Sequence, residues 1–373
     1  MANADRKILI VGAGPAGLAA AVEFSRRGFR PRVVETKDGP VPLTESRALA
    51  INLRTLELLE PAGLSEKIVA EALQAGEMRL FDRDYPLARV STAEVEYGKY
   101  RGMHILPQGR TQRLLLERLA GFGIVPEWRT SLERLTPSDT QPAATLLRAD
   151  GAREEAAFDI VVGADGAHST ARREAGLSFA GEALAETFYL ADYRYTQDLE
   201  SSYIEAHFFN PGAIARFPVD RRSVRFVSTL ADFRDRISHV AAIESVLWEA
   251  EFKVSFRHVE RMSRGNVFLI GDAAHIHSPI GGRGMNLGIE DACWLAWLVS
   301  EGRESEFSDL RLPAVRMVVG ETHGMTRMVL LHNPIALLLR NMSVPLLTHI
   351  PWFTRRMVAS LLGLDTPPPP WLQ

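Results

Sequence analysis

The feature that most constrains this chain is Gly12-Ala13-Gly14-Pro15-Ala16-Gly17, set between the apolar run Ile8–Val11 and an alanine-rich stretch. That order predicts a buried strand, a tight turn and a helix. Gly12 lets the chain turn. Gly14 removes a Cβ, so the backbone can approach a pyrophosphate. Gly17 lets helix and strand pack closely. The start of the helix, at Pro15 and Ala16, offers free N–H groups and the positive end of the helix dipole. Residues 16–27 read as the helix, and Gly28 follows as its stop. Arg32–Glu35 reads as the next strand, ending at Glu35 and Thr36. A carboxylate there can accept hydrogen bonds from ribose hydroxyls and repels a 2′-phosphate. The tightly bound nucleotide is therefore expected to be FAD or NAD rather than NADP.

Further along, helices are expected over residues 47–60 and 111–120, and strands over 145–148 and 160–162, with a hairpin at Asp150-Gly151. Residues 186–230 alternate apolar and polar side chains with turns at Asn210-Pro211-Gly212 and Asp220, which predicts an antiparallel sheet with one face on a core. Residues 266–270 return to a short apolar strand, and beyond residue 285 the pattern is helical. At 373 residues the chain has room for two domains, or for one with a large insertion. The net charge of −3 argues against a nucleic-acid protein that works by bulk electrostatics. One cysteine, Cys293, excludes an internal disulfide framework and any multi-cysteine metal site, and its apolar helical setting reads as a buried small hydrophobe. The natural compartment is a reducing one, the cytoplasm. The N-terminus reads as strand then helix rather than an export signal, and no stretch predicts a spanning helix.

Two more segments carry the glycine-rich signature onward. Gly163-Ala164-Asp165-Gly166-Ala167-His168-Ser169-Thr170-Ala171-Arg172 follows the strand at 160–162. Gly271-Asp272-Ala273-Ala274-His275 is followed by Pro279-Ile280-Gly281-Gly282-Arg283-Gly284-Met285-Asn286 and by Asp291-Ala292. Together with the first fingerprint, these resemble the three signatures of the FAD-dependent aromatic hydroxylases, single-component flavoprotein monooxygenases of the para-hydroxybenzoate hydroxylase and phenol hydroxylase type. The resemblance spans residues 7 to about 300.

It implies an α/β fold: a Rossmann-like FAD-binding domain, a substrate domain built on a mixed or antiparallel sheet, and C-terminal helices. The FAD-binding domain would take residues 1–74, 98–176 and 263–304. The substrate domain would take 75–97 and 177–262, leaving 305–373 as a helical segment. FAD would be held tightly by Gly12, Gly14, Pro15, Ala16, Gly17, Glu35, Thr36 and Gly271. By resemblance, Asp165-Gly166 and Ser169 lie between the flavin and nicotinamide sites. Asp272 would hydrogen-bond the ribityl or pyrophosphate region. Arg47 resembles the family arginine near the phosphates, and Gln108 the glutamine beside the ribityl chain. NADPH or NADH would bind transiently, since no second dinucleotide fingerprint is present. The implied cycle is hydride transfer to flavin N5, addition of dioxygen at C4a to give a hydroperoxide, and attack by an electron-rich aromatic carbon on the distal oxygen. A halogenase or an isoprenoid-chain reductase on the same scaffold is the alternative, and a non-catalytic FAD-binding protein a further one. The chain lacks the Trp-x-Trp-x-Ile-Pro stretch of halogenases.

The residues themselves agree with this reading. A reduced flavin is negative along its N1–C2=O edge. The loop at 281–284 needs small residues for its N–H groups to reach that edge, and a helix starting near Met285 and Asn286 would aim its positive end there. Pro279, Gly281 and Gly282 are expected to line the site. Arg283 departs from the family, where glutamine is usual and lysine occurs. It is expected either to raise the positive potential beside the flavin or to form a salt bridge to an Asp or Glu. Pro279 and Arg283 are the flavin-adjacent candidates. No acid–base triad stands out. Asp272 could instead cap a following helix. His275 and His277 lack a metal-ligand set and read as structural. His207 and Arg216 either face the flavin or point to solvent as ordinary strand residues. Expected partners are a small aromatic substrate and dioxygen, not nucleic acid, for a monomer or homodimer. The apolar C-terminal segment reads as helices over the FAD domain or at a dimer interface, with a membrane-surface patch or a tunnel for a greasy substrate as the lesser alternative.

Overall fold

A computed structural model describes residues 5–43, 48–94, 96–97, 99–237 and 242–372. Two sheets organise it. The first has six strands in the order Glu127–Trp128, Arg32–Glu35, Ile8–Val11, Ile160–Gly163, Val267–Leu269 and Ser263–Arg264. The first five run parallel, and the last is antiparallel to its neighbour. Ile8–Val11 and Ile160–Gly163 are buried along their whole length, as parallel strands covered on both faces must be. Helix Pro15–Arg26 packs on helices Gln108–Ala120 and Gly284–Ser300. From Ile8–Val11 the chain goes first to one neighbour, Arg32–Glu35, and much later to the other, Ile160–Gly163. The first fingerprint therefore sits where the strand order reverses, the place where open α/β sheets bind ligands.

The second sheet has eight strands, in the order His275–Ile276, Ile243–Val259, Phe179–Tyr195, Ser223–Ser228, Ala213–Pro218, Tyr203–Phe208, Glu77–Asp82 and Tyr85–Ser91. It is antiparallel except where Tyr203–Phe208 runs parallel to Glu77–Asp82, so it is mixed. A three-stranded antiparallel sheet, Ser131–Thr136, Ala143–Leu147 and Arg153–Ala157, contains the expected hairpin, with Gly151 at φ +82°. The structure thus has the α/β class with a Rossmann-like half and a mixed sheet.

Two expectations need correction. The helix expected over 47–60 is only Leu53–Leu59. Ala50–Ile51 is instead a short strand paired with Met103–Ile105, and the Asn52 side chain caps the helix by accepting from Thr55 N at 2.9 Å. Such a cap contributes about 1 kcal/mol and outweighs the continuing apolar period. The other correction is length: Phe179–Tyr195 and Ile243–Val259 are both 17-residue strands, and the second was not foreseen. The C-terminal part is helical: Phe307–Val329 packs on Gly284–Ser300 and on Ile243–Val259, while Pro334–Thr348 packs on the sheet-edge strand Tyr85–Ser91.

Candidate active site

A cleft of about 550 Å³ opens between the carboxyl ends of the parallel strands and one face of the mixed sheet. Three turns distant in sequence meet on its first wall: Gly14, Pro15 and Ala16; Ala164 and Gly166; and Gly271, Asp272, Pro279, Gly282, Arg283, Gly284 and Met285. Backbone crowding sets this wall. Gly12 has φ +109°, and a Cβ there would overlap the Ala164 carbonyl. A Cβ on Gly17 would overlap the Gly12 carbonyl oxygen. At Gly14, by contrast, no protein atom lies within 4 Å of where a Cβ would stand. The turn is thus closed toward the protein and open toward the cleft, the arrangement a pyrophosphate needs.

The neighbouring side chains brace this backbone. Glu35 accepts from Ala13 N at 2.7 Å and from Thr36 Oγ1 and Lys37 N at 3.1 Å. Its carboxylate is therefore fixed at the turn, and Thr36 serves it. Gln108 lines the cleft and accepts from Ala48 N at 3.1 Å. Gln112, unforeseen, donates to Ala13 O at 2.7 Å and accepts from Val41 N at 2.9 Å. Its place one helical turn after Gln108 was the signal for it. Asn286 is buried and does not line the cleft. It donates to Ala50 O at 2.8 Å and Gly282 O at 2.7 Å and accepts from Thr55 Oγ1 at 2.7 Å, tying the glycine loop to the Ala50–Ile51 strand. Gly281, at φ +85°, shapes the same loop without lining the cleft. Asp272 is an exposed part of the lining.

Other expected residues turn elsewhere. The Asp165 carboxylate accepts from Thr170 N at 2.7 Å, Ala171 N at 3.0 Å and Ser169 Oγ, so it holds the start of the short helix Thr170–Glu174 while Ala164 and Gly166 face the cleft. Arg47 lies outside the described residues. Arg283 is 2% exposed, donates to the Ser360 carbonyl and pairs with Asp365 at 2.8 Å. The salt bridge of the two readings is the one present, and its partner comes from the C-terminal segment.

Below the loop is a buried charged network. His275 Nε2 lies 2.6 Å from Asp291 Oδ2, and Arg311 reaches Asp291 at 3.0 Å and Glu290 at 2.7 Å. Burial alone would push the Asp291 carboxyl up, but His275 and Arg311 hold it below its usual range. His277 lines the cleft, and its Nδ1 lies 2.9 Å from the Ser278 carbonyl, which makes that nitrogen the donor. Burial, helped by the nearby His275, lowers its pKa to about 4, so it is neutral. Among the described residues no cluster of three metal-ligating side chains occurs. Cys293 is buried, and burial pushes its thiol up, away from reactivity.

The second wall was largely unforeseen. Leu190, Phe217, Val227, Trp248 and Phe252 present apolar surface to the cleft, with Arg225 among them. Strand register puts them on one face: Leu190 opposes Val227 and Ala250, and Asp192 opposes Arg225 and Trp248. Arg225 is buried and donates from Nε to Asp192 Oδ1 at 2.6 Å. His207 and Arg216 face the other way. His207 opposes Ile214, which belongs to the apolar cluster behind the sheet, and stacks on Phe81. Arg216 bonds Glu205 at 3.1 Å. Neither lines the cleft, so neither faces a flavin bound there.

Comparison with known proteins agrees with this geometry. A family model described as an FAD binding domain matches residues 5–236 and 228–306. The chain is 34% identical over 359 residues to 6-methylpretetramide 4-monooxygenase of Streptomyces rimosus, covering 88% of this chain and 63% of that protein. It is 28% identical to pentachlorophenol 4-monooxygenase of Sphingobium chlorophenolicum, covering 89% of this chain and 66% of that one. The chain thus spans just under two thirds of the length of these relatives. Among solved structures, the anhydrotetracycline hydroxylase OxyS of Streptomyces rimosus superposes with a TM-score of 0.82 at 26% identity, covering 98% of this chain and 77% of that one.

Proposed function

From the premise that this chain belongs to the FAD binding domain family, we propose that it is an FAD-dependent monooxygenase that uses NADPH or NADH and dioxygen to hydroxylate a phenolic or other electron-rich aromatic compound. The observation that carries the reading is the pairing of two unlike walls on one cleft: three glycine-rich turns on one side and an apolar, aromatic sheet face on the other. FAD, when bound, supplies the redox chemistry and the activation of oxygen.

The chain's own groups then have these roles. Gly14, Pro15 and Ala16 present helix N–H groups to the pyrophosphate, and Gly12 and Gly17 keep that turn in place. Glu35, already fixed by Ala13 N, accepts from a ribose hydroxyl. Asp272 and Gln108 hold the polyol chain between phosphate and ring, and Arg47 is assigned to the phosphates on resemblance. Gly166 and Gly271 leave room for the backbone to close on the cofactor. Pro279, Gly282, Gly284 and Met285 lie along the ring, where the start of helix Gly284–Ser300 favours negative charge. The apolar sheet face receives the aromatic substrate and excludes water. The enzyme works in a reducing cytoplasm, in keeping with its single buried cysteine.

The test is direct. The purified chain is expected to be yellow, to release FAD on denaturation, and to oxidise NADPH or NADH faster with an aromatic compound that gains one oxygen by mass. Oxidation without dioxygen consumption would instead indicate a reductase, and a protein that stays colourless after incubation with FAD would overturn the reading.

A further inference from the structure

Helix Pro334–Thr348 is built the wrong way round for a helix on a water-soluble surface. Its apolar side chains Ile335, Leu338, Leu339, Met342 and Leu346 recur at helical spacing and all point outward, with Ile335 70% and Leu346 68% exposed. Its one charged residue, Arg340, points inward and lies over the Phe208 ring at 4.6 Å. The next helix, Pro351–Leu361, continues the surface with Trp352, 66% exposed. A contiguous apolar stripe of this kind marks an interaction face rather than scattered surface hydrophobes.

The charge around the stripe selects its partner. Residues 322–364 contain four arginines and not one Asp or Glu. Arg327, Arg355 and Arg356 are exposed: Arg355 and Arg356 stand on helix Pro351–Leu361, which packs on Pro334–Thr348, and Arg327 precedes Met328, whose carbonyl accepts from Arg340 at 3.5 Å. Two of the three are ion-paired, in each case by a carboxylate from outside the segment: Glu182 at 3.7 Å from Arg327 and Glu321 at 3.5 Å from Arg356. We propose that this face docks on an anionic lipid surface. The stripe would sink into the acyl boundary, Trp352 would sit at headgroup level, and the arginines would meet lipid phosphates. The helix lies along the surface rather than through it, since no helix among the described residues is long and apolar enough to cross a membrane. A second copy of the chain is a poorer match. A two-fold contact sets this face against itself, and it would bring three exposed arginines against two nearby carboxylates, Glu182 and Glu321, that are already paired within the chain.

The face lies apart from the cleft, so its test stands independently of the flavin reading. The purified chain is mixed with vesicles of phosphatidylcholine alone, or with part of it replaced by phosphatidylglycerol, and sedimented. Binding is expected to the anionic vesicles and to fall with added salt. Leu339→Glu and Leu346→Glu, placed on the exposed side, are each expected to weaken it about tenfold with an unchanged circular dichroism spectrum. Arg355→Gln with Arg356→Gln is expected to weaken binding to anionic vesicles while leaving the apolar stripe intact. The proposal is overturned if the chain ignores both vesicle types, or if the leucine variants bind as well as the parent. It is equally overturned if sedimentation equilibrium shows a dimer that these variants dissociate while vesicles recruit nothing, because the face then belongs to a second copy.

Discussion

The two walls of the cleft are made in different ways. The wall carrying the three turns is a backbone surface: its shape comes from positions where a side chain is absent, at Gly14, Gly166, Gly271, Gly282 and Gly284. The facing wall is a side-chain surface, made by Leu190, Phe217, Val227, Trp248 and Phe252 on a sheet whose register sets which residues look inward. On the backbone wall a side chain at Gly12 or Gly17 would meet main chain, while one at Gly14 or Gly166 would meet no protein atom and project into the space the cofactor needs. Side-chain surfaces can be altered one residue at a time and still fold. The first wall suits an unchanging cofactor and the second a substrate that differs among relatives.

The sharpest way to break this contrast is on the backbone wall. Gly17→Val places atoms onto the Gly12 carbonyl, which cannot retreat because Gly12 N is hydrogen-bonded to Val34 O at 2.8 Å. The variant is expected to lose at least about 3 kcal/mol of stability and all bound flavin. A stable yellow Gly17→Val protein would show that this wall is not set by main-chain contact.

Arg283 joins the loop of the first wall to the C-terminal segment. Its guanidinium meets Asp365 and the Ser360 carbonyl, so its charge is answered within the protein. Arg283→Gln leaves Asp365 largely buried without its cation, which is expected to cost about 3 kcal/mol, measured by thermal or denaturant unfolding. The flavin reduction potential is expected to stay unchanged. A large shift in potential with no loss of stability would restore the electrostatic role for Arg283 and refute the structural one.

How much of this could be read from sequence follows the same division. The fingerprint at Gly12 was legible because turn, helix start and acidic strand end are local features that span one strand–helix–strand unit. Likewise, the hairpin at Gly151 and the alternating strands near residues 186–230 announce themselves within a few residues. Trp248 and Phe252 were not legible, because Ile243–Val259 gains its inward face only by pairing with a strand far earlier in the chain. The partner of Arg283 was hidden for a related reason: Asp365 is distant in sequence and no periodicity links the two. Asp165 and Asn286 carry motif positions, yet their side chains turn to neighbouring backbone and hydroxyl groups. A motif marks where the chain must bend before it marks what touches the ligand.

The pH dependence of stability probes the loop at intermediate size. His277 is held neutral, with its pKa lowered by burial to about 4, whereas an unfolded chain takes up that proton near 6.5. Between those values the unfolded state binds more protons, so stability is complete above pH 6.5 and falls as pH drops toward 4. The expected loss across the window is about 3 kcal/mol. His277→Asn should flatten the corresponding part of the curve of thermal midpoint against pH. Coincident curves for the two proteins would mean that the imidazole is already free to ionise in the folded state.

The smallest effect is expected on the second wall, and it tests the comparison most selectively. Trp248 is half-buried, its ring faces the cleft, and the Arg225 guanidinium lies 5.5 Å from the ring centre. Trp248→Ala removes aromatic surface from the side that would receive substrate without touching any of the three turns. An aromatic ligand loses a stacking partner worth about 1 kcal/mol or slightly more, so its KM should rise roughly tenfold. FAD affinity, measured by titration of the apoprotein, should stay as it was, because no flavin-side residue depends on this side chain. Thermal stability should move little, since the tryptophan is only half covered in the folded chain. If flavin affinity falls together with substrate affinity, the two walls are not separable. The cofactor would then lean on the sheet as well as on the glycine turns.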